Sequence, residues 1–208
     1  MVIDKKFKGL VKEDFRYVFN GDIETTEFLE VDLDMGLFVT GSIDAGEYIK
    51  AGEFIEAGEY INAGWYVDAG EYINAGEFIE AGEYINAGWY VDAGEYINAG
   101  EYIKAGGSIE AGEYIKAGEY IKAGGSYGII AGLSITCKGI LSFGLKGFAG
   151  ICSWMEISDE DKTITCGKLE SGTIEYGILR ETGVEESDDK TQEAMRLLKE
   201  QGYKIIRQ

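Results

Sequence analysis

From Ala45 to Gly128 the chain consists of fourteen consecutive six-residue units: AGEYIK AGEFIE AGEYIN AGWYVD AGEYIN AGEFIE AGEYIN AGWYVD AGEYIN AGEYIK AGGSIE AGEYIK AGEYIK AGGSYG. A period of six is even, so it matches the two-residue alternation of an extended strand and not a helix of 3.6 residues per turn. One unit is too short to bury its own apolar side, so neighbouring units must stack to make a core. The repeat therefore predicts a parallel β-helix. Its fifth position is Ile or Val up to Tyr127, which reads as an inward column. The fourth position (Tyr, Phe or Ser) and the sixth (Lys, Glu, Asn or Asp) flank it and point outward. Alanine and glycine read as the corner, where a small side chain fits and glycine accepts an unusual backbone conformation. The third position, Glu, Trp or Gly, belongs on the surface, because a glutamate buried at every corner would be too costly.

Residues 51–74 and 75–98 are identical at every position, an in-frame duplication of four units. The six-residue phase extends into the flanks. Counting back from Ile49 meets Ile43, Leu37 and Val31, and after an eight-residue unit AGLSIT, CKGILS, FGLKGF and AGICSW carry it from Ala131 to Trp154. The expected organisation is a cap over 1–30, a solenoid over 31–154 and a small C-terminal α+β cap over 155–208. In the last segment KTITCGKL and GTIEYGILRE read as strands. A helix is expected at about 190–201, capped by Asp188 or Asp189 and ended by Gly202, with a short strand at 203–207.

The six-residue array resembles the hexapeptide-repeat parallel β-helices over roughly residues 31–154. That resemblance implies a left-handed, three-faced solenoid with three units to each coil, and the two AGGS units, at Ala105 and Ala123, stand three units apart. The usual pattern of those proteins has a small residue two before the aliphatic one; here that place is Glu, Trp or Gly, and alanine falls two after Ile. The four-unit duplication suits coils of two or four units equally well.

Composition narrows the function. The chain has 208 residues, no histidine and no proline, with 38 acidic against 19 basic side chains for a net charge of −19. The absence of histidine removes the Ser/His/Asp and Cys/His nucleophile systems and the commonest metal ligand. The hexapeptide-repeat acyltransferases rely on a catalytic histidine, so the resemblance carries no such activity, and no enzyme is expected. No EF-hand or aspartate-rich nonapeptide pattern is present, and no metal or other cofactor is expected. Cys137, Cys152 and Cys166 lack CxxC spacing and read as reduced thiols in apolar positions. No stretch approaches a membrane helix and the N-terminus lacks a signal-peptide core, so a soluble, cytoplasmic protein is expected. So negative a chain repels phosphates and anionic lipid surfaces, which argues against direct binding to nucleic acid or membrane.

The acidity is concentrated in the repeats. Residues 51–98 hold ten acidic side chains and no Lys or Arg, and residues 45–128 carry fifteen acids against four lysines, a net of −11. With coils stacked about 4.8 Å apart, that charge lies along about 22 Å, or one charge per roughly 2 Å of axis, against about 1.7 Å for duplex DNA. In this the chain resembles acidic DNA-mimic inhibitors of the pentapeptide-repeat type and the acidic anti-CRISPR and anti-restriction proteins of phages. The resemblance implies a non-catalytic inhibitor that binds a basic nucleic-acid-binding protein or complex, as a monomer or small homo-oligomer. The candidate partner-binding residues are Glu53, Glu59, Trp65, Asp68, Glu71, Glu77, Glu83, Trp89, Asp92 and Glu95. The Trp and Tyr columns would add cation–π contacts to an Arg-rich partner, while Lys104, Lys116 and Lys122 dilute the charge further along. Two other readings stand beside this one. The polar positions could simply solubilise the faces, with Tyr ladders supporting cross-strand packing. Alternatively, the glycine-rich solenoid resembles bactofilin-like proteins that assemble end to end into scaffolds.

Overall fold

The computed structural model describes residues 1–183. The helix expected at 190–201 with its caps, and the strand expected at 203–207, lie outside them. The described chain is an all-β parallel solenoid with three strands per coil. The inward column of the first face pairs Ile49 with Val67, Val67 with Ile85, Ile85 with Ile103 and Ile103 with Ile121, each partner lying three units further along the chain. The second face runs through Leu37, Ile55, Ile73, Val91 and Ile109. The third runs through Ile43, Ile61, Ile79, Ile97 and Ile115, within a sheet of nine strands. Coils of two or four units are thereby excluded.

Most strands of the array comprise the fifth and sixth positions of one unit and the first of the next, as in Ile61–Ala63 and Ile73–Ala75, and three begin one residue earlier, at Tyr84, Tyr102 and Tyr120. Alternation sends the Ile and the Ala inward and the residue between them outward. Ile61 and Ile73 have no exposed surface, and Ala63 and Ala75 are 2 % exposed. The expectation that alanine marks the corner is therefore corrected: alanine is a core residue, and each face buries one large and one small side chain. The corner is made by Gly, Glu or Trp, and the aromatic residue.

Glycine at the second position has a different cause from the one expected. None of the array glycines has a positive φ; the six that do among the described residues, Gly9, Gly21, Gly150, Gly172, Gly177 and Gly183, lie outside it. What excludes a side chain is the coil below. A Cβ on Gly76 would stand 2.1 Å from the carbonyl oxygen of Gly58, and one on Gly94 2.0 Å from that of Gly76. The same approach lets the glycine N–H bond downward, Gly76 N–H to Ala57 O at 3.1 Å and Gly94 N–H to Ala75 O at 3.1 Å. Corners are thus hydrogen-bonded coil to coil like the strands.

The fourth-position rings form three ladders: Phe28, Tyr48, Tyr66, Tyr84, Tyr102 and Tyr120 ahead of the first face; Phe54, Tyr72 and Tyr90 ahead of the second; Tyr60, Phe78, Tyr96 and Tyr114 ahead of the third. Neighbouring centroids are 4.4 to 5.3 Å apart with nearly parallel planes. The coil spacing sets this separation, so the ladders follow from the register.

The flanking phases hold with two interruptions. Leu29 pairs with Ile49 and Ile109 with Ile129, and both steps are two positions longer than three units. At the first, counting in sixes lands on Val31, which occupies the alanine position opposite Ala51, and Leu29 takes the large position. At the second, the eight-residue unit turns Tyr127 outward and returns Ile129 to the core. Parallel pairing also continues beyond the 31–154 span on both sides. Val2–Asp4 pairs with Leu29–Asp32, and after residues 153–162 leave the stack Thr163–Cys166 rejoins it, Ile164 opposite Ile135. Ile140–Ala149 bends across a corner to serve the first and second faces in turn. Leu10–Lys12 lies antiparallel against Arg16–Phe19, covering the first strand of the second face.

Candidate partner-binding surface

Third-position residues form three ridges, each row held by N–H···O bonds from one coil to the next. The first ridge, between the third and first faces, carries Glu27, Glu47, Trp65, Glu83, Glu101 and Glu119; Trp65 N–H donates to Glu47 O at 2.7 Å and Glu83 N–H to Trp65 O at 2.6 Å. The second, between the first and second faces, carries Glu53, Glu71, Trp89 and Gly107. The third, between the second and third faces, carries Glu59, Glu77, Glu95 and Glu113, followed by Leu133. Only here does the glutamate row run through four coils without a Trp or Gly.

The candidate residues therefore do not converge on one acidic face. Trp65 and Glu83 belong to the first ridge, Glu53, Glu71 and Trp89 to the second, and Glu59, Glu77 and Glu95 to the third. Asp68 sits on the first face and Asp92 on the second. The physical reason is the mismatch between a duplication of four units and a coil of three: each copied residue reappears one face further round. Sequence density became a density around the axis. Counting in steps of three units from Glu59 would have added Glu113, and from Glu83 would have added Glu101 and Glu119. The lysines do not simply dilute the far end. Lys50, Lys104 and Lys122 belong to the first-face row and Lys116 to the third-face row, leaving the second-face row of Glu56, Asn74, Asp92 and Glu110 without one. Glu56 is partnered by Arg16 at 3.6 Å.

The Asn, Asp and Glu residues of the sixth position are half-buried and the Asn residues pair with acids along the axis, while Lys50, Lys104, Lys116 and Lys122 are exposed. Asn86 Nδ2 donates to Asp68 Oδ1 at 2.8 Å and Asn98 Nδ2 to Glu80 Oε1 at 2.9 Å; Asn62 and Asn74 make longer bonds to Asp44 and Asp92. Burial pushes the Asp92 carboxyl above the usual carboxylate range, and Glu110 above it adds to the shift. Burial likewise pushes up the phenols of Tyr66, Tyr72, Tyr90, Tyr96, Tyr102, Tyr114 and Tyr120, and that of Tyr84 to about 12, chiefly by burial and then by the neighbouring Tyr66. Tyr48 donates its hydroxyl to Glu30 at 3.0 Å. Within a ladder both faces of an interior ring are covered by its neighbours, so the expected cation–π contact to the Tyr columns is closed; their edges remain. The Trp65 and Trp89 rings are free of the ladders, 47 % and 64 % exposed.

Cys137, Cys152 and Cys166 are buried and unbridged, and burial raises the Cys137 thiol to about 12, so it holds its proton at neutral pH. Among the described residues no three metal-ligating side chains gather, and no helix is long and apolar enough to cross a membrane. The fold and surface define an acidic three-faced parallel β-solenoid protein. No family model, curated protein or solved structure matches the chain.

Proposed function

We propose that the protein is a non-catalytic acidic rod, acting in the cytoplasm, that occupies the basic groove of a nucleic-acid-binding protein or complex in place of nucleic acid and inhibits it. The observation that carries this reading is the set of carboxylate rows fixed at coil spacing around the axis. Three ridges present glutamates whose backbone is already immobilised by the ladder bonds, so a partner meets an anionic rod with fixed spacing and little backbone ordering entropy is lost on binding. Charge spread around the circumference also parallels a duplex, whose phosphates wind about its axis. Electrostatic recognition of this kind speeds association and weakens with salt. Affinity capture on the immobilised protein tests the reading. Basic nucleic-acid-binding proteins are expected to be retained at low salt and released both by rising salt and by duplex DNA. A retained set indifferent to salt and DNA overturns it.

A self-assembling scaffold is the second reading, favoured by one feature: among the described residues the end strands Ile23–Thr25 and Ile178–Glu181 of the third face are each paired on one side only. Unpaired parallel edges are templates for another chain.

A further inference from the structure

The third ridge ends in an apolar tip. Its row of Glu59, Glu77, Glu95 and Glu113 continues into Leu133, whose N–H donates to Glu113 O at 2.6 Å. Residues 150–154 then close over this coil: Gly150 N–H donates to Leu133 O at 2.8 Å and Cys152 N–H to Gly132 O at 3.0 Å. The Trp154 ring lies against Gly132, close enough that a Cβ there would meet its Cη2 at 3.1 Å. Ile151, Trp154 and Met155 are left 48 %, 61 % and 45 % exposed. A tryptophan with apolar neighbours turned to solvent at the end of an anionic row is unlike the surface of the six-residue array, where the exposed large side chains Trp65, Trp89 and Tyr127 stand singly.

Resting on the acidic-rod reading, we infer that the third ridge is the binding edge and that its partner is a basic groove opening at one end into an apolar pocket, with Trp154 as the anchor. The ridge is convex and narrow, one residue wide along its crest, so it enters a cleft. Charge complementarity identifies the lining of that cleft as Arg and Lys. The tip supplies what the carboxylates lack, desolvated apolar contact, since exposed charges steer encounter while a buried aromatic slows dissociation. Polarity along the axis follows: the apolar pocket must face the C-terminal end of the rod.

Two labelled peptides test this by fluorescence anisotropy at low and moderate salt: nona-arginine, and nona-arginine followed by Leu-Leu-Phe. The extended peptide is expected to bind the wild-type protein about ten-fold more tightly, the worth of one buried aromatic anchor. Trp154→Ala, and separately Ile151→Ser, should abolish that preference while leaving nona-arginine binding unchanged. Trp89→Ala on the second ridge should leave the preference intact. Replacing Glu59, Glu77, Glu95 and Glu113 together by Gln, with circular dichroism and melting unchanged, should weaken both peptides and flatten their salt dependence more than Glu53→Gln with Glu71→Gln. Equal binding of the two peptides to the wild type, or a preference that survives loss of Trp154, overturns the inference and leaves the acidic-rod reading standing. Absence of binding by either peptide at low salt overturns both.

Discussion

At Gly52 a Cβ would meet nothing within 4 Å, whereas at Gly76 it would strike the carbonyl oxygen of Gly58 at 2.1 Å. Two residues in the same repeat position thus have opposite tolerance, because the coil beneath Gly52 carries two extra positions between Leu29 and Leu37 and sets no carbonyl oxygen directly under it. Gly52→Ala should stabilise by about 0.4–1 kcal/mol through the unfolded chain. Gly76→Ala should lower the melting temperature by several degrees, which differential scanning calorimetry would show. The core column sets a harder limit. A buried Ile contributes about 1.5–3 kcal/mol, so Ile73→Asp or Ile97→Asp should disrupt the coils, while Glu71→Gln on the exposed ridge should leave the far-UV spectrum and the melt unchanged. At Asp92, held half-buried between Asn74 and Glu110, burial works against the charge. Its folded carboxyl binds a proton more readily than the unfolded one, so its contribution to stability falls as pH rises from the ordinary carboxylate range through its raised pKa. Asp92→Asn should raise the melting temperature at pH 7 and remove that part of the pH dependence.

At the scale of the strand and the ladder, axial neighbours decide stability. In the sixth-position rows each Asn of 62, 74, 86 and 98 stands between two charged residues. From Glu56 to Asn98 the sequence alternates acid and amide from unit to unit, and three is odd, so stacking at three units per coil sets unlike on unlike there; past Asn98 the alternation ends, and Asp92 meets Glu110 and Lys104 meets Lys122. Two or four units per coil would have set acid on acid, which is unfavourable for directly opposed strand residues. Ladder phenols add an alkaline limit. Tyr84 titrates at about 12 in the fold, against roughly 10 in the unfolded chain, so the folded form holds the proton longer and stability is lost as pH rises from 10 towards 12. Phenolate absorbance should therefore lag the ordinary tyrosine curve and then appear together with loss of the β signal. Titration of the whole tyrosine complement near pH 10 with the fold intact would contradict the stacked ladders.

For the molecule as a whole, any number of complete units is an allowed length. Deleting residues 75–98 should give a folded protein shortened by one and a third coils, with everything beyond it rotated by one face. A deletion of one and a half units in the same place should unfold the array, because it exchanges inward and outward residues. Small-angle scattering and circular dichroism distinguish the two outcomes. Sedimentation separates the two functional readings: a rod that acts as a decoy should remain a monomer or small closed oligomer at all practical concentrations, whereas filaments by electron microscopy would favour the scaffold.

Parallel β-structure, the Ile column and the surface place of Glu and Trp were all legible in residues 45–128, because an even period and an invariant aliphatic position survive any choice of coil length. The sequence could not choose between coils of two, three and four units, nor show that alanine lies in the core, since either small residue of the Ala-Gly pair suits a corner when the strand boundaries are unknown. It also could not show which acids are neighbours. Glu59, Glu77, Glu95 and Glu113 are three units apart in sequence and adjacent on one ridge, while Glu53 and Glu59 are one unit apart and on different ridges. Local alternation determines which way a side chain points, and that is a property of the chain. Which side chains meet is decided by the step from coil to coil, and that step exists only when the coils are stacked.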